Sequence, residues 1–96
     1  MIYNFEWDPN KARLNKQKHK VSFEEAATVF HDPTALTIYD PDHSENEDRW
    51  ITIGISKSGK LLVTCHTYQE ENNKTVNVRI FSGRKAKKAE SKQYGE

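Results

Sequence analysis

Three segments in the second half of the chain alternate apolar and polar residues, and this two-residue period is that of a β-strand. They span residues 50–55, 60–66 and 75–81. Ser58-Gly59 predicts a tight turn between the first two, and the polar residues 70–74 predict a hairpin loop before the third. Consecutive strands joined by such turns pair antiparallel, so we expect an antiparallel sheet.

Helix signals flank these strands on both sides. Asp8-Pro9 predicts the start of a polar helix that ends near His19, because Asp caps a helix and Pro fits its first position. Its Lys11, Asn15 and Lys18 are predicted to form one exposed stripe. Ser22 to Glu25 form a capping box before a second helix, in which Phe23, Ala26, Ala27 and Phe30 are predicted to face the core.

The complete order predicts an α+β fold with the elements β-α-α-β-β-β-β-α. Further strands are predicted at residues 2–7 and 35–39, Asp32-Pro33 ends the second helix, and Ser82-Gly83 is predicted to open a basic helix over residues 84–94. The two N-terminal helices are expected on one face of the sheet, over the aliphatic sides of the last three strands. The last helix is too short to be stable unless it docks on the sheet.

Length and composition exclude several classes of protein. Ninety-six residues predict one domain over 1–96, and the single cysteine, Cys65, cannot form an internal disulfide. A buried small side chain is favoured for Cys65 over a nucleophile. No apolar run reaches the roughly 20 residues of a membrane span, and the N-terminus lacks a signal-peptide core. A soluble cytoplasmic protein without a membrane partner is expected.

The net charge of +1 conceals a segregated distribution. Residues 1–20 carry a net +3 and residues 74–96 a net +5, whereas residues 23–48 carry eight acids and no Lys or Arg. Such separation permits binding of a polyanion on one side of the molecule. Charge alone favours the plainer alternative, in which these are solvated surfaces.

The sheet face away from the helices is predicted to present Trp50, Thr52, His66, Asn77 and Arg79. Aromatic, imidazole and guanidinium groups on an open sheet suit single-stranded RNA. The alternative, equally supported by the pattern, is that Trp50 and Phe81 pack a second small core beneath the C-terminal helix.

No cofactor is expected from the motifs. The loop at residues 40–48 is rich in acids and includes His43, but it matches no metal-ligand spacing, so a polar loop tip is favoured over a metal site. Cleavage of RNA through its own 2′-hydroxyl needs a base, an acid and cationic stabilisation. The candidates for proton transfer are His19, His43 and His66, and those for holding the phosphate are Arg49, Arg79, Arg84 and Lys85. Composition permits this chemistry without establishing it.

A longer series of motifs resembles the BrnT family of toxins. It begins with Phe5-Glu6-Trp7-Asp8-Pro9 and Val21-Ser22-Phe23-Glu24-Glu25-Ala26, and continues through His43-Ser44-Glu45, Glu47, Arg49-Trp50 and His66-Thr67-Tyr68. It closes with Arg79-Ile80, Arg84-Lys85-Ala86, Glu90 and Tyr94. The resemblance implies a RelE-like fold, a ribonuclease that blocks translation, and a partner antitoxin of the ribbon-helix-helix type. It also implies that operator DNA is bound only through the complex with this antitoxin.

The resemblance also implies the site. The residues carried over as catalytic are Glu47, Arg49, His66, Arg79, Arg84 and Lys85, with His66 or Glu47 in proton transfer and the cations on phosphate. Those assigned to RNA binding are Lys11, Lys18, His19 and Trp50.

Gly83, Gln69 and Ala89 depart from the residues usual in the family. The losses of basic side chains support a second hypothesis, a non-catalytic module that binds RNA or antitoxin.

Overall fold

The computed structural model describes residues 1–95 and contains a six-stranded sheet with three α-helices. The strands are β1 (Ile2–Glu6), β2 (Leu36–Tyr39), β3 (Trp50–Ile55), β4 (Leu61–His66), β5 (Gln69–Glu70) and β6 (Thr75–Lys85). The helices are α1 (Pro9–His19), α2 (Phe23–Ala27) and α3 (Lys88–Tyr94), with 3₁₀ turns at Thr28–His31 and Pro41–His43. In residues 1–95, no helix is both long enough and apolar enough to pass through a membrane.

The sheet has the strand order β1-β6-β4-β3-β2, and the short strand β5 pairs with β6 beside this path. β1 runs parallel to β6, while the other pairs are antiparallel. The prediction of a purely antiparallel sheet is therefore wrong at β1, and the predicted element order lacked β5. Hairpin turns impose antiparallel pairing on near neighbours, but β1 and β6 are joined by most of the chain, which permits either direction.

The prediction of which side of each strand faces the two N-terminal helices is confirmed for β6 and wrong for β3 and β4. Val76, Val78 and Ile80 form a buried cluster with Phe23 of α2, as predicted. In β4, however, Leu62 and Thr64 face α2, and Thr64 Oγ1 donates a hydrogen bond to the carbonyl oxygen of Ala26. Gly54 of β3 pairs with Leu62 and lies on the same side, where a Cβ would be 3.1 Å from that of Val29.

The alternate residues Ile53 and Val63 pair across the other face of the sheet, which α3 contacts, and both are fully buried. Strands covered on both faces are apolar on both, so the two-residue period cannot show which helix covers which side. We call these two sides the α2 face (with Leu62 and Val78) and the α3 face (with Ile53 and Val63).

β6 continues to Lys85, so the predicted helix over residues 84–94 starts late, at Lys88. Gly83 is a strand residue paired with Thr64, and a Cβ there would lie 2.7 Å from the Cβ of Ala26. Glycine at this position permits close packing of α2 on the strand and does not mark a turn.

Asn15 is buried, in contrast to the predicted exposed stripe on α1. Its Nδ2 donates hydrogen bonds to the carbonyl oxygens of Val21 (2.9 Å) and Gly83 (2.8 Å), and its Oδ1 accepts one from the Gly83 N–H (3.2 Å). β1 pairs with β6 only as far as Arg79. The Asn15 amide therefore supplies the hydrogen bonds that a neighbouring strand would make with Gly83.

Polar contacts at both ends hold α3 on the sheet, which confirms that this short helix docks. Arg84 donates two hydrogen bonds to Glu90, at 2.7 and 2.6 Å, and the Tyr94 hydroxyl donates to Asp32. Burial alone would raise the pKa of Asp32, but hydrogen bonds, including one from the Ile55 N–H at 2.8 Å, lower it to about 2. The carboxylate is thus ionised and fixes the end of α3.

Candidate functional site

Three cationic side chains surround the ring of Phe81 on the α3 face. The guanidinium carbon of Arg49 lies 4.0 Å from the ring centroid, that of Arg79 5.1 Å, and Nζ of Lys11 5.4 Å. Cations are attracted to the face of an aromatic ring at these distances. We call these four residues and the adjoining Glu47 the cationic cluster, whose formal charge is +2.

Glu47 holds the two arginines of this cluster together. Arg79 Nη2 donates hydrogen bonds to both carboxylate oxygens of Glu47, at 2.5 and 2.6 Å, and Arg49 Nη2 lies 3.7 Å from Oε1. The hydrogen bond from Arg79 lowers the pKa of Glu47, so this carboxylate is ionised at neutral pH. The side chains of Arg79, Glu47 and Arg49 are 41, 38 and 34 % exposed, so a ligand in solution can contact all three.

The backbone of β6 explains why Arg79 points to this face. Its neighbours Val78 and Ile80 are buried on the α2 face, so the alternation of the strand turns Arg79 to the other side. Its N–H donates to Thr67 Oγ1 and its carbonyl accepts from the Thr67 N–H, both at 2.9 Å. A β-bulge between Cys65 and His66 shifts the register here, which leaves Phe81 as the extra residue in β6.

A histidine–aspartate pair lies next to the cluster. His43 Nδ1 is 2.8 Å from Asp40 Oδ2, and the imidazole is largely exposed. Both residues line a groove of about 390 Å³ whose wall also includes Arg49, Phe81 and Arg84. A second, adjoining concavity is lined by His43, Glu47 and Arg49, so the pair and the cluster share one surface.

The sequence analysis named His43 among the candidates for proton transfer but included neither His43 nor Asp40 in the predicted site, and it favoured a polar tip over a metal site for their loop. The loop is folded back instead: Ser44 Oγ donates to the Asp40 carbonyl and accepts from the Arg49 N–H at 2.9 Å. The available signal was that His43 begins a motif of the family resemblance and follows Asp40 by three positions.

Arg84 and Lys85, both predicted as catalytic, lie on opposite sides of β6. Arg84 lines the groove, but its guanidinium is paired with Glu90, whose hydrogen bond raises the pKa of Arg84. Lys85 is exposed and pairs with Leu62, a residue of the α2 face. The structure therefore brings Arg84 to the groove and does not bring Lys85 there.

His66 is fully buried, so the prediction that it lies beside Arg79 on an open face is wrong. It lies on the α2 face, with its ring centroid 4.8 Å from that of Phe30 in the 3₁₀ turn after α2. Its Nδ1 is 2.8 Å from the Thr67 carbonyl oxygen and must donate to it, so Nε2 accepts from Thr52 Oγ1 at 2.7 Å. Burial lowers the pKa of His66 to about 4, so the ring is neutral at pH 7.

Burial of a neutral His66 predicts a loss of stability in mild acid. The folded protein has a His66 pKa of about 4, below the ordinary 6.5, so the unfolded chain binds more protons between these values. The contribution of the neutral His66 to the free energy of unfolding is therefore complete above pH 6.5 and is lost as the pH falls towards 4. Between pH 8 and pH 5 we expect the free energy of unfolding in urea to fall by about 2 kcal/mol.

His66→Asn, which keeps a side-chain donor but cannot titrate, should lose most of this dependence. The comparison ends at pH 5 because carboxylates such as Glu47 and Asp32 titrate below it. An unfolding free energy that is constant over this range in the unmodified protein would contradict the buried neutral imidazole.

The predicted RNA-binding residues are divided among several places. Lys11 belongs to the cationic cluster, whereas Lys18 and His19 lie about 10 Å further along the axis of α1. Trp50 pairs with His66 and is on the α2 face. The prediction that Trp50 and Thr52 lie on a sheet face away from the helices is therefore wrong, and Thr52 is buried. The alternative prediction, that Trp50 packs beneath α3, is also wrong.

Cys65 is half-buried and lines the groove beside Phe81. In the described part of the chain, no three His, Cys, Asp or Glu side chains are grouped so that they could hold a metal ion.

Comparison with known proteins identifies the family. Residues 7–90 match the profile of a family described as the ribonuclease toxin BrnT of type II toxin–antitoxin systems. The crystal structure of the Brucella abortus ribonuclease toxin BrnT is similar in fold, with a TM-score of 0.50 and 17 % identity over 92 % of this chain and 100 % of that one. A search of the curated proteins finds no match.

The profile match extends from the end of β1 into α3 and includes every residue of the cationic cluster and of the histidine–aspartate pair. It confirms the resemblance seen in the sequence. The chain belongs to the BrnT family of ribonuclease toxins of type II toxin–antitoxin systems.

Proposed function

We propose that this chain is a metal-independent endoribonuclease that cleaves RNA through the 2′-hydroxyl and thereby inhibits translation in the cytoplasm. We also propose that residues 1–96 form one toxin domain of RelE-like fold. The main support is the cationic cluster, which presents Arg49, Arg79 and Lys11 around one aromatic ring on an accessible face. RNA offers the two groups that such a surface binds, a phosphate for the cations and a base for the ring.

The arginines are suited to stabilise charge on a reacting phosphate. Attack of the 2′ oxygen on phosphorus forms a pentacoordinate dianion, and fixed guanidinium donors stabilise that charge more than the charge of the ground state. Arg79 is held in place by Glu47, and the buried Nε of Arg49 finds no hydrogen-bond acceptor among residues 1–95. Glu47 is assigned to orientation of the arginines, because its lowered pKa makes it a weak proton acceptor.

We assign His43 as the general base. Its Nδ1 can donate to Asp40, which leaves Nε2 as the acceptor for the 2′-hydroxyl proton. The new bond joins the 2′ oxygen to phosphorus, and the bond to the 5′ oxygen breaks, with solvent protonating the leaving oxygen. The products are a 2′,3′-cyclic phosphate and a 5′-hydroxyl end. His66, predicted earlier for proton transfer, is buried away from this groove.

The proposal includes an antitoxin of the ribbon-helix-helix type as the partner. Operator DNA would then be bound by the antitoxin part of the complex alone. The mixed charge of this chain, with Asp32 on the side of the sheet away from the cationic cluster, supports a protein partner on one side and RNA on the other.

RNA incubated with the purified protein in EDTA tests the proposed chemistry. We expect cleavage, with 2′,3′-cyclic or 3′-phosphate ends identified by mass spectrometry and 5′ ends that a polynucleotide kinase can label directly. Cleavage only after addition of Mg²⁺ would show that the chemistry is wrong. Salt-sensitive RNA binding without cleavage under either condition would support the non-catalytic alternative.

A further inference from the structure

A concavity lies on the α2 face, on the other side of the sheet from the cationic cluster. It measures about 530 Å³, and its walls include the half-buried rings of Tyr3, Phe30, Trp50 and Tyr68. We call it the aromatic cleft. The proposed cleavage chemistry uses none of these four residues.

The wall of the aromatic cleft carries one negative charge and no positive charge among the described residues. Asp32 is part of its wall, and among the described residues no Lys or Arg lines it. Tyr39, whose ring lies 5.1 Å from that of Trp50, donates a hydrogen bond to Asp48. An acidic cleft without cations repels the phosphates of RNA and attracts a basic peptide.

The cleft adjoins an unpaired strand edge. The sheet path ends at β2, so within residues 1–95 the outer edge of Leu36–Tyr39 has no neighbouring strand, and Thr37 of β2 lines the cleft. An extended peptide can pair with such an edge through its backbone and place alternate side chains in the adjoining pocket. Leu36 and Tyr39 are 37 and 41 % exposed, which adds apolar surface along the same edge.

We propose that the aromatic cleft and the β2 edge are the docking site of the antitoxin. The occupant is an extended antitoxin segment that pairs with β2, inserts one aromatic or large aliphatic side chain between the rings, and carries Lys or Arg on either side of it. The inference rests on the antitoxin pairing in the proposed function and is independent of the cleavage chemistry.

Thr37→Arg tests the site, because it adds bulk and positive charge at an exposed position of the cleft wall. We expect calorimetric titration with the purified cognate antitoxin to show binding weakened about tenfold or more, through crowding and like-charge repulsion. Gln17→Arg is the matched control: it adds the same charge at an exposed position of α1, outside the aromatic cleft and the β2 edge. Its effect should remain below about threefold.

Two further comparisons decide between occupants. Thr37→Glu adds similar bulk with the opposite charge and should weaken antitoxin binding less than Thr37→Arg does; equal losses would overturn the basic character of the segment. Antitoxin binding unchanged by Thr37→Arg, together with altered RNA affinity, would assign the cleft to RNA and overturn the proposal. Circular dichroism melting shows whether each variant is folded.

RNA cleavage separates this inference from the proposed function. Thr37→Arg should cleave RNA at the rate of the unmodified protein. If neither protein cleaves RNA but Thr37→Arg still loses antitoxin binding, the proposed function fails and the docking site stands.

Discussion

Arg79→Ala is expected to slow RNA cleavage about a hundredfold or more, the usual cost of removing one charge-stabilising donor from an active site. Arg79 is 41 % exposed and bonds to an exposed carboxylate, so its loss should change the free energy of unfolding by about 1 kcal/mol or less. The variant should remain folded, bind antitoxin and no longer arrest growth when expressed alone. Cleavage rates of the purified variant and growth curves measure this.

Arg13→Ala is the matched control, because it removes the same charge from an exposed position of α1 outside the cationic cluster. It should cleave RNA at nearly the unmodified rate. An unfolded Arg79→Ala protein would show that Arg79 is structural. A fully toxic one would place the active surface elsewhere.

His43→Ala should lower the cleavage rate by about a hundredfold to ten-thousandfold, the range typical for loss of a general base. The imidazole is exposed and bonds to Asp40 across a loop, so its removal leaves the sheet and both helix faces intact. Single-turnover cleavage at saturating RNA isolates the chemical step. The affinity for RNA should change little, because the arginines that hold phosphate are retained.

His31→Ala serves as the comparison for this variant. His31 is also an exposed histidine at the end of a 3₁₀ turn, but it lines a different concavity, with Thr28 and Lys57. If both variants cleave equally well, His43 is not the base. If His43→Ala loses RNA binding and cleavage together, the imidazole holds RNA and does not move a proton.

Local signals in the sequence were sufficient to find most helices and strands. The predicted bounds of α1 agree with the structure because Asp8 accepts a hydrogen bond from the Asn10 N–H and Pro9 occupies the first turn. The strand predicted at residues 50–55 agrees with β3, where alternation is strict and the following turn contains Gly59 at a φ of 84°. In each case the residues that decide the structure are adjacent in the chain.

The wrong predictions concern contacts between distant residues. His66 and Cys65 alternate in a strand that is covered on both sides, and only the position of α2 decides which of them is buried. In the sequence, Asn15 cannot be distinguished from the other polar residues of α1. Its burial depends on the extension of β6 past the end of β1, which brings Gly83 next to it. The approach of His43 to Arg49 depends in the same way on how the loop folds back through Ser44.

Glu47 has a consequence for how RNA association would respond to salt. A cation in water collects mobile counterions, and their release when a phosphate binds makes affinity fall as salt rises. The positive charge of Arg79 is already neutralised by a carboxylate built into the protein, so a phosphate that binds the other N–H groups of this guanidinium releases few dissolved ions. RNA affinity should therefore depend on ionic strength less steeply than the number of basic side chains around Phe81 suggests.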